Sequence, residues 1–276
     1  MERRRKTRRV AIVVFAAVAA YLALAYFMLP LLWKHYDHQK ALANHPMTTS
    51  TAQGIPGDPL NVGLVGAKEE VIRAVIAAGW FPADPITLKS SAEIAGSVLL
   101  ERPYHDAPVS DLFYEGRKQD LAFEKPVGSS ADQRHHVRLW KVLDTGEEDR
   151  PVWLGSASFD KGVGVSHYTG AITHHIAPDV DADRDLLIGN IETAGMLSEI
   201  YQVTGVGLTL FGRNGGGDPY FTDGELTIGV IRPGGIAAKT APQIIPSPVP
   251  VQLKNQIWNL GKQMLSALPS SDTSKP

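Results

Sequence analysis

The stretch RHHVRLWKV, residues 134–142, alternates along its length and carries β-branched or aromatic side chains at several positions. This two-residue period predicts a half-buried β-strand. VWLGSASFD (152–160) repeats the pattern, and GVGVSH (162–167) and ITHHI (172–176) extend the run of strand signals. Consecutive strands without regular helical crossovers indicate a largely antiparallel sheet.

Helical patterns are mixed with these strands. The helical segments are AKEEVIRAVIAAG (67–79), TLKSSAEIAGSVLL (87–100) and ADRDLLIGNIETAG (182–195). Glycines end the first and third, and Asp181 lies at or near the N-cap of the third. The further strand signals are MLSEIYQVTGVG (196–207) and DGELTIGVI (223–231). We therefore expect an α+β fold, with a largely antiparallel sheet and a few packed helices, preceded by one transmembrane helix.

The N-terminal region predicts a membrane anchor. Residues 10–33 form an uncharged apolar run that is long enough to cross a bilayer, with Trp33 and Tyr36 as interfacial residues at its end. A cleaved signal peptide is the alternative, but its apolar core would be about 7–15 residues long. The basic block RRRKTRR (3–9) predicts a cytoplasmic N-terminus and a periplasmic location for the rest of the chain, in the bacterial inner membrane.

The expected domain organisation follows from these signals. The predicted segments are a cytoplasmic basic tail (1–9), the anchor (10–33), a polar linker (34–57), an α+β domain (58–232) and a Pro/Ala-rich tail (233–276). Within the tail, residues 251–268 have the apolar spacing of a short amphipathic helix. Docking on a partner or on the membrane surface, and packing on its own domain, are both open for this helix.

Composition excludes several functions. The formal net charge is −2, so no basic surplus indicates a nucleic-acid partner. The chain has no cysteine, which excludes disulfides, thiol nucleophiles and thiolate-bound metals.

Several motifs in order resemble one known family. They are GDPLNVGLVGAKEEVIRAVIAAGWFPADPITLKSS (57–91), RPYHDAPVSDLFYEGRKQDLAFEKPVG (102–128), QRHHVRLW (133–140), VWLGSASFD (152–160) and GVGVSHYTGAITHHIAPDVDADRD (162–185). Together they resemble the LssY C-terminal domain family, over about residues 58–232. The resemblance implies a bacterial domain in a membrane context, often joined to or near lipid-phosphatase-like membrane proteins. It assigns no catalytic residue.

The histidines suggest a site for a divalent transition metal. Imidazole and carboxylate are common ligands for such ions. Neighbouring residues on a strand point to opposite faces, so His174 and His175 cannot both join His167 on one side, and the pair His135 and His136 has the same constraint. The predicted ligand set is His167, His174, His135 and Asp179. Histidines that bond to backbone groups are the structural alternative.

Acid–base or nucleophilic catalysis is a second hypothesis, with His167, His136 and Asp160 as catalytic candidates and Ser158 or Ser166 as hydroxyl groups nearby. Phosphoester chemistry would also need cations to stabilise negative charge. The candidate cations are Arg134, Arg138, Lys161 and Arg184. Solvated surface charges are the alternative explanation, and no G-x-S-x-G motif supports a hydrolase triad.

Two other motifs are weaker. From Asp181 the acidic residues partly match a calcium-binding EF-hand loop, but the sixth position is Leu186 where a glycine is required. The glycine-rich GRNGGGDP (212–219) lacks the residues of a phosphate-binding P-loop and predicts a hairpin loop instead.

The sequence thus predicts a membrane-anchored envelope domain with a binding or accessory role, acting beside a lipid-phosphatase-like or secretion membrane protein. A metal-assisted hydrolase, of phosphoesters for example, is the alternative, and the motifs leave open whether the chain is an enzyme.

Overall fold

The computed structural model describes residues 2–28, 34–35, 38–83, 87–89, 111–128, 133–170, 172–207 and 209–266. It divides the chain into two units, one of residues 1–35 with 248–276 and one of residues 36–247. The helices are α1 (Glu2–Ala23), α2 (Lys68–Ala77), α3 (Val180–Thr193) and α4 (Val249–Ser266). Shorter helical segments are Leu24–Met28, Lys40–Asn44 and Pro233–Gly235.

The strands belong to the second unit. In chain order they are β1 (Thr48–Ser50), β2 (Pro56–Pro59), β3 (Val62–Val65), β4 (Phe81–Pro82), β5 (Phe113–Tyr114), β6 (Arg117–Lys118), β7 (Leu121–Pro126), β8 (Arg134–Leu143), β9 (Val152–Val165), β10 (Ile172–Ile176), β11 (Leu197–Thr204), β12 (Phe211–Arg213), β13 (Pro219–Phe221), β14 (Glu225–Ile231) and β15 (Gln243–Ile244).

A mixed sheet organises this unit. Its order among the described residues is β15-β11-β14-β3-β9-β8-β7-β4, and β10 pairs with the outer part of β9. The pairs β3–β14 and β11–β15 are parallel, and the other described pairs in the sheet are antiparallel. The fold is therefore α+β with a largely antiparallel sheet, as the sequence predicts.

The two faces of the sheet bury different cores. On one face, side chains of α2 and α3 pack with Val137, Leu139 and Trp153 of the central strands. On the other face, Trp140 and Leu154 pack in a separate apolar cluster with Leu42 and Tyr114. Side chains at successive strand positions alternate between these two cores. The alternation also sets the direction of the polar residues in β8 and β9.

The helix ends follow local chemistry. At the start of α2, the Glu70 carboxylate accepts a hydrogen bond from the Ala67 N–H at 2.7 Å, and acidic residues here also suit the helix dipole. Gly195 follows α3 with a φ of 71°, a left-handed conformation that favours glycine. A β-carbon at Gly195 would lie 2.4 Å from the Ala238 carbonyl oxygen, so the close approach of the later chain also requires glycine.

The folded unit extends beyond the predicted domain boundaries. In the predicted linker, Leu42 is fully buried and β1 pairs with β2 and β5. In the predicted tail, β15 pairs with β11, and the Ile245 N–H donates to the Ile200 carbonyl. The linker segment contributes buried apolar side chains, and the tail segment contributes backbone groups that pair with the edge strand β11. The Pro and Ser content of both segments hides these contributions in the sequence.

The first unit contains α1 and α4. Residues Arg5–Met28 form a helix long and apolar enough to cross a membrane, and a signal sequence would meet the same test. Helix α4 covers most of the amphipathic segment predicted over 251–268, and its side chains Leu253, Ile257 and Leu260 are exposed. The predicted anchors Trp33 and Tyr36, and residues 90–100 of the predicted second helix, lie outside the described residues.

Candidate functional site

The polar face of β8 and β9 is the first feature of the site. On β8, His136 and Arg138 lie on the face of Trp140, opposite to the face on which Val137 and Leu139 contact the helices. The antiparallel register places His136 opposite Ser158 on β9, and it places Arg134 opposite Asp160 in the same way. A cluster of charged groups therefore lies in the interior of the sheet, where an apolar core would be expected.

Hydrogen bonds fix the ring of His136 in this cluster. Its Nε2 lies 2.8 Å from Asp160 Oδ1 and 3.2 Å from Ser158 Oγ, and its Nδ1 lies 3.3 Å from Arg138 Nη1. A guanidinium can only donate, so Nδ1 is the acceptor and Nε2 carries the proton. The Nε2 proton then faces Asp160 and Ser158. In a Ser-His-Asp triad the serine and the aspartate contact different ring nitrogens. Here both Ser158 and Asp160 contact Nε2, so the three residues do not form such a triad.

Burial controls the charges of this cluster. It lowers the pKa of His136 to about 3, while the nearby Asp160 carboxylate acts in the opposite direction and the guanidinium of Arg138 adds to the lowering. The ring is therefore neutral near pH 7. Burial also raises the pKa of Asp58, against the effect of Arg138, whose Nη1 lies 3.8 Å from the Asp58 carboxylate. The same burial lowers the pKa of Arg138.

A partly open cavity of about 340 Å³ lies over this face. Its lining includes three carboxylates, one guanidinium and two imidazoles: Asp58, Asp111, Asp160, Arg138, His136 and His174. Hydroxyl and amide groups complete the wall: Thr51, Gln53, Ser166, Thr169, Thr173 and Asn214. Among the described lining residues, carboxylates thus outnumber the guanidinium, and the wall has many hydrogen-bond acceptors.

A second cluster joins His167, His175 and Asp218. One ligand atom from each lies within 4.8 Å of the others. His175 Nδ1 is 2.7 Å from Asp218 Oδ1, and His167 Nε2 is 3.9 Å from the same oxygen. The Asp218 side chain is 5% exposed and that of His167 is 60% exposed. The cluster therefore has one buried anionic group and one side open to solvent.

The hairpin of β12 and β13 positions both sites. In its loop, Asn214 Oδ1 accepts hydrogen bonds from the backbone N–H groups of Gly216 and Asp218. The His167 N–H donates to the Gly216 carbonyl at 2.8 Å. A side-chain hydrogen bond from Asn214 also acts on the Asp58 carboxyl and lowers its pKa, opposing the effect of burial. The loop that the sequence predicts between two short strands is present, and it connects the cavity to the histidine cluster.

The predicted site residues are distributed over several places. Of the catalytic candidates, His136 and Asp160 are in contact, whereas His167 lies in the second cluster. Of the predicted metal ligands, His135 contacts Asp183 of α3 at 2.6 Å, on the helix side of the sheet. His174 lines the cavity and Asp179 precedes α3, so neither is in the cluster of His167.

Of the four candidate cations, Arg134 and Arg138 flank the His136–Asp160 pair and the other two lie elsewhere. Arg184 lies in a buried ion cluster with Asp181 and Asp223, and Arg134 contacts Glu124 and Asp160. Lys161 is exposed on β9. Of the four, Arg138 is the one that lines the cavity. The acidic run after Asp181 is the first turns of α3, so its backbone does not have the form of an EF-hand loop.

Sequence reasoning missed Asp218 and Asp58. Asp58 lies in the four-residue strand β2 between Gly57 and Pro59, and Asp218 lies in the loop just before β13, and neither segment is long enough for a period to indicate which way a side chain points. A weak signal existed at Asp218, because a carboxylate directly after three glycines is held close to the hairpin backbone. The strand period predicts that His174 and His175 face opposite sides of β10. The predicted ligand set contained His174, whereas His175 is the one that lies near His167.

The family comparison agrees with the resemblance noted in the sequence. The family model described as LssY C-terminus matches residues 42–226, most of the folded unit. The chain belongs to this family. No curated protein and no solved structure matches the chain.

Proposed function

We propose that the chain is a membrane-anchored ligand-binding domain of the bacterial envelope. In this proposal α1 anchors it in the inner membrane with a cytoplasmic N-terminus, and the folded unit lies on the periplasmic side. The observation that carries the binding role is the set of buried ionisable groups at one cavity: His136, Arg138, Asp160 and Asp58. Burying such groups is costly, and clusters of this kind in a cleft are typical of functional sites.

The charges of the wall favour one class of ligand. The three lining carboxylates accept hydrogen bonds, and each has a cation partner: Asp111 pairs with Lys118, Asp160 with Arg134 and Asp58 with Arg138. Among the described lining residues the carboxylates still outnumber the single guanidinium, so the wall favours hydrogen-bond donors and ammonium groups over a phosphate dianion. A small molecule with hydroxyl and ammonium groups fits this chemistry. The volume of about 340 Å³ is at the lower end of the usual range for ligand pockets, roughly 300–1,000 Å³.

The alternative of a phosphoester hydrolase is less well supported by this geometry. Of its four candidate cations only Arg138 is among the described residues that line the cavity, and both nitrogens of His136 already have hydrogen-bond partners. A neutral ring with a pKa of about 3 is also a poor base near pH 7. We therefore prefer a binding or accessory role, in which the domain presents its ligand to a membrane partner such as a lipid-phosphatase-like or secretion protein.

Three sugars that share the same ring but differ in charge test which ligand class the cavity prefers. We would titrate the full chain in detergent with glucosamine, glucose and glucose 6-phosphate and measure Kd by calorimetry. Glucosamine should bind most tightly and the phosphate ester least. Asp58→Asn keeps the acceptor for Asn214 but removes a wall charge, and it should weaken glucosamine binding by about tenfold.

The control is Asp144→Asn, which removes a carboxylate that is 87% exposed at the end of β8. It should leave all three dissociation constants unchanged. Tighter binding of glucose 6-phosphate than of glucosamine, or equal glucosamine binding by Asp58→Asn and the unmodified chain, would contradict the proposal. Co-purification of a membrane protein with the detergent-solubilised chain tests the accessory part separately.

A further inference from the structure

We infer that His167, His175 and Asp218 form a binding site for a divalent transition metal ion, with zinc as the probe. This site is separate from the cavity in which the proposed function places its ligand, and the inference does not depend on that function. Two imidazoles and one carboxylate are a common ligand set for zinc and for iron. The residues come from the turn after β9, from β10 and from the β12–β13 loop, so the fold brings them together from three parts of the chain.

The distances suit a metal ion after small side-chain movements. Zinc–ligand bonds of about 2.0–2.1 Å place neighbouring ligand atoms of a tetrahedral site roughly 3.3 Å apart. The observed separations from Asp218 Oδ1, 2.7 Å to His175 and 3.9 Å to His167, lie on either side of this value. Rotation of the His167 side chain, which is 60% exposed, is the movement that would shorten the longer separation.

The charge of Asp218 favours a cation at this place. Its carboxylate is 5% exposed, and its ion-pair partners among the described residues are the two histidines. A divalent ion bound between the two rings would supply positive charge next to this buried carboxylate. The other carboxylate oxygen, Oδ2, accepts from the Ile176 N–H at 3.2 Å, which leaves Oδ1 directed toward the histidines.

Two glycines make room for the ligand rings. A β-carbon at Gly164 would lie 2.1 Å from His175 Nε2, and one at Gly217 would lie 2.7 Å from the His167 β-carbon. Because Gly164 contacts the Nε2 side of His175, the ring presents Nδ1 to Asp218. Contacts behind a ligand that fix its orientation in this way are a regular feature of metal sites. The contact with His175 accounts for the second glycine of GVGV (162–165).

The open side of the cluster leaves room for further ligands. With His167 60% exposed, three protein ligands would leave at least one coordination position for water or a small molecule. The site therefore has the form of an open metal centre and differs from a closed structural one.

The test is zinc binding by the full chain in detergent after treatment with EDTA, measured by calorimetry. The unmodified chain should bind one zinc ion per chain. His175→Ala and Asp218→Asn should each weaken binding by at least about 100-fold. Gly164→Ala changes no ligand but displaces the His175 ring, and it should also weaken binding, by about tenfold or more.

The matched control is His174→Ala, which removes the adjacent histidine on the other face of β10. It should leave the stoichiometry and affinity unchanged. Cobalt provides a second readout, because a four-coordinate site gives intense visible absorption that His175→Ala should abolish. The inference is overturned if the unmodified chain binds no zinc, if His175→Ala binds it as tightly, or if His174→Ala loses it equally.

Discussion

At the scale of single residues, His136 is the group whose charge state the fold controls most strongly. Its side chain is 3% exposed, and burial lowers its pKa to about 3. An unfolded histidine has a pKa near 6.5. Between these values the unfolded chain binds a proton that the folded chain does not. Because the folded pKa is depressed, the stability from this residue is present above about pH 6.5 and is lost as the pH falls toward 3.

We predict that His136→Gln reduces the acid sensitivity of the fold. Glutamine can still donate to Asp160 but takes up no proton, so the variant should lack the loss of roughly 4 kcal/mol that the histidine causes between pH 6.5 and 3. Near pH 7 the variant should itself be less stable, by about 1–3 kcal/mol, because its hydrogen bonds are imperfect. Urea unfolding at a series of pH values measures both effects.

His45→Gln is the control, since His45 pairs with Glu115 away from the cavity. Its stability should fall with acid as that of the unmodified chain does. Parallel stability–pH curves for His136→Gln and the unmodified chain would show that His136 is not held neutral in the folded state.

The face of the sheet on which a side chain lies was predictable from the sequence wherever the two-residue strand period applies. The period predicts that His135 and His136 face opposite sides, and the structure places one against Asp183 of α3 and the other against Asp160. The period does not identify the partner on each side, because partners such as Asp218 are brought near by contacts between distant segments. Their positions depend on how the hairpin folds over β10, and a single sequence carries little signal for that.

At the scale of elements, the start of α3 is held by a buried ionic cluster. The Asp181 carboxylate accepts hydrogen bonds from Thr222 Oγ1 and from the Asp223 N–H, both at 2.7 Å. Arg184 contacts both Asp181 and Asp223. Burial raises the pKa of Asp181 to about 6, with Arg184 opposing the rise. The segment after β13 is thereby fixed to the first turn of the helix.

We predict that Asp181→Asn changes the pH dependence of stability between pH 4 and 6. A carboxyl whose folded pKa is raised stabilises the fold below its ordinary value of 3.8, and this contribution is lost as the pH rises through about 6. The difference corresponds to roughly 3 kcal/mol, which the asparagine variant should lack. Chemical unfolding at pH 4, 5, 6 and 7 measures it as the difference between the two curves.

Glu192→Gln removes one negative charge from the same helix at an exposed position, and it is the matched control. If Asp181→Asn and Glu192→Gln give the same pH dependence, burial of Asp181 is not the cause of the effect.

Elements with a strong period were predicted well, and their arrangement was not. The patterns over 67–79 and 182–195 correspond to α2 and α3, and those over 134–142 and 223–231 correspond to β8 and β14. The order of the sheet places β3 between β9 and β14, strands that are far from it in sequence. Pairing of this kind depends on nonlocal packing, for which local periodicity gives no information. Short edge strands such as β15 were missed for the same reason.

At the scale of the whole molecule, the first question is whether α1 stays attached to the folded unit. Its helix Arg5–Met28 has an uncharged apolar part from Val10 onward, which is longer than the apolar core of about 7–15 residues in a signal peptide. We therefore predict that the chain purified from membranes keeps the full mass of 29.9 kDa. Intact-mass spectrometry measures this, and a mass that lacks the N-terminal segment would show cleavage.

The second question is on which side of the membrane the folded unit lies, and the lack of cysteine gives a direct way to answer it. We predict that a single cysteine introduced by Asp144→Cys, at an exposed position, reacts with a membrane-impermeant maleimide in intact spheroplasts. A cysteine introduced by Thr7→Cys, within the basic N-terminal block, should react only after lysis, because positive residues favour the cytoplasmic side. The chain without either substitution gives the background. Labelling of Asp144→Cys only after lysis would place the cavity and the histidine cluster in the cytoplasm, where an envelope ligand could not reach them.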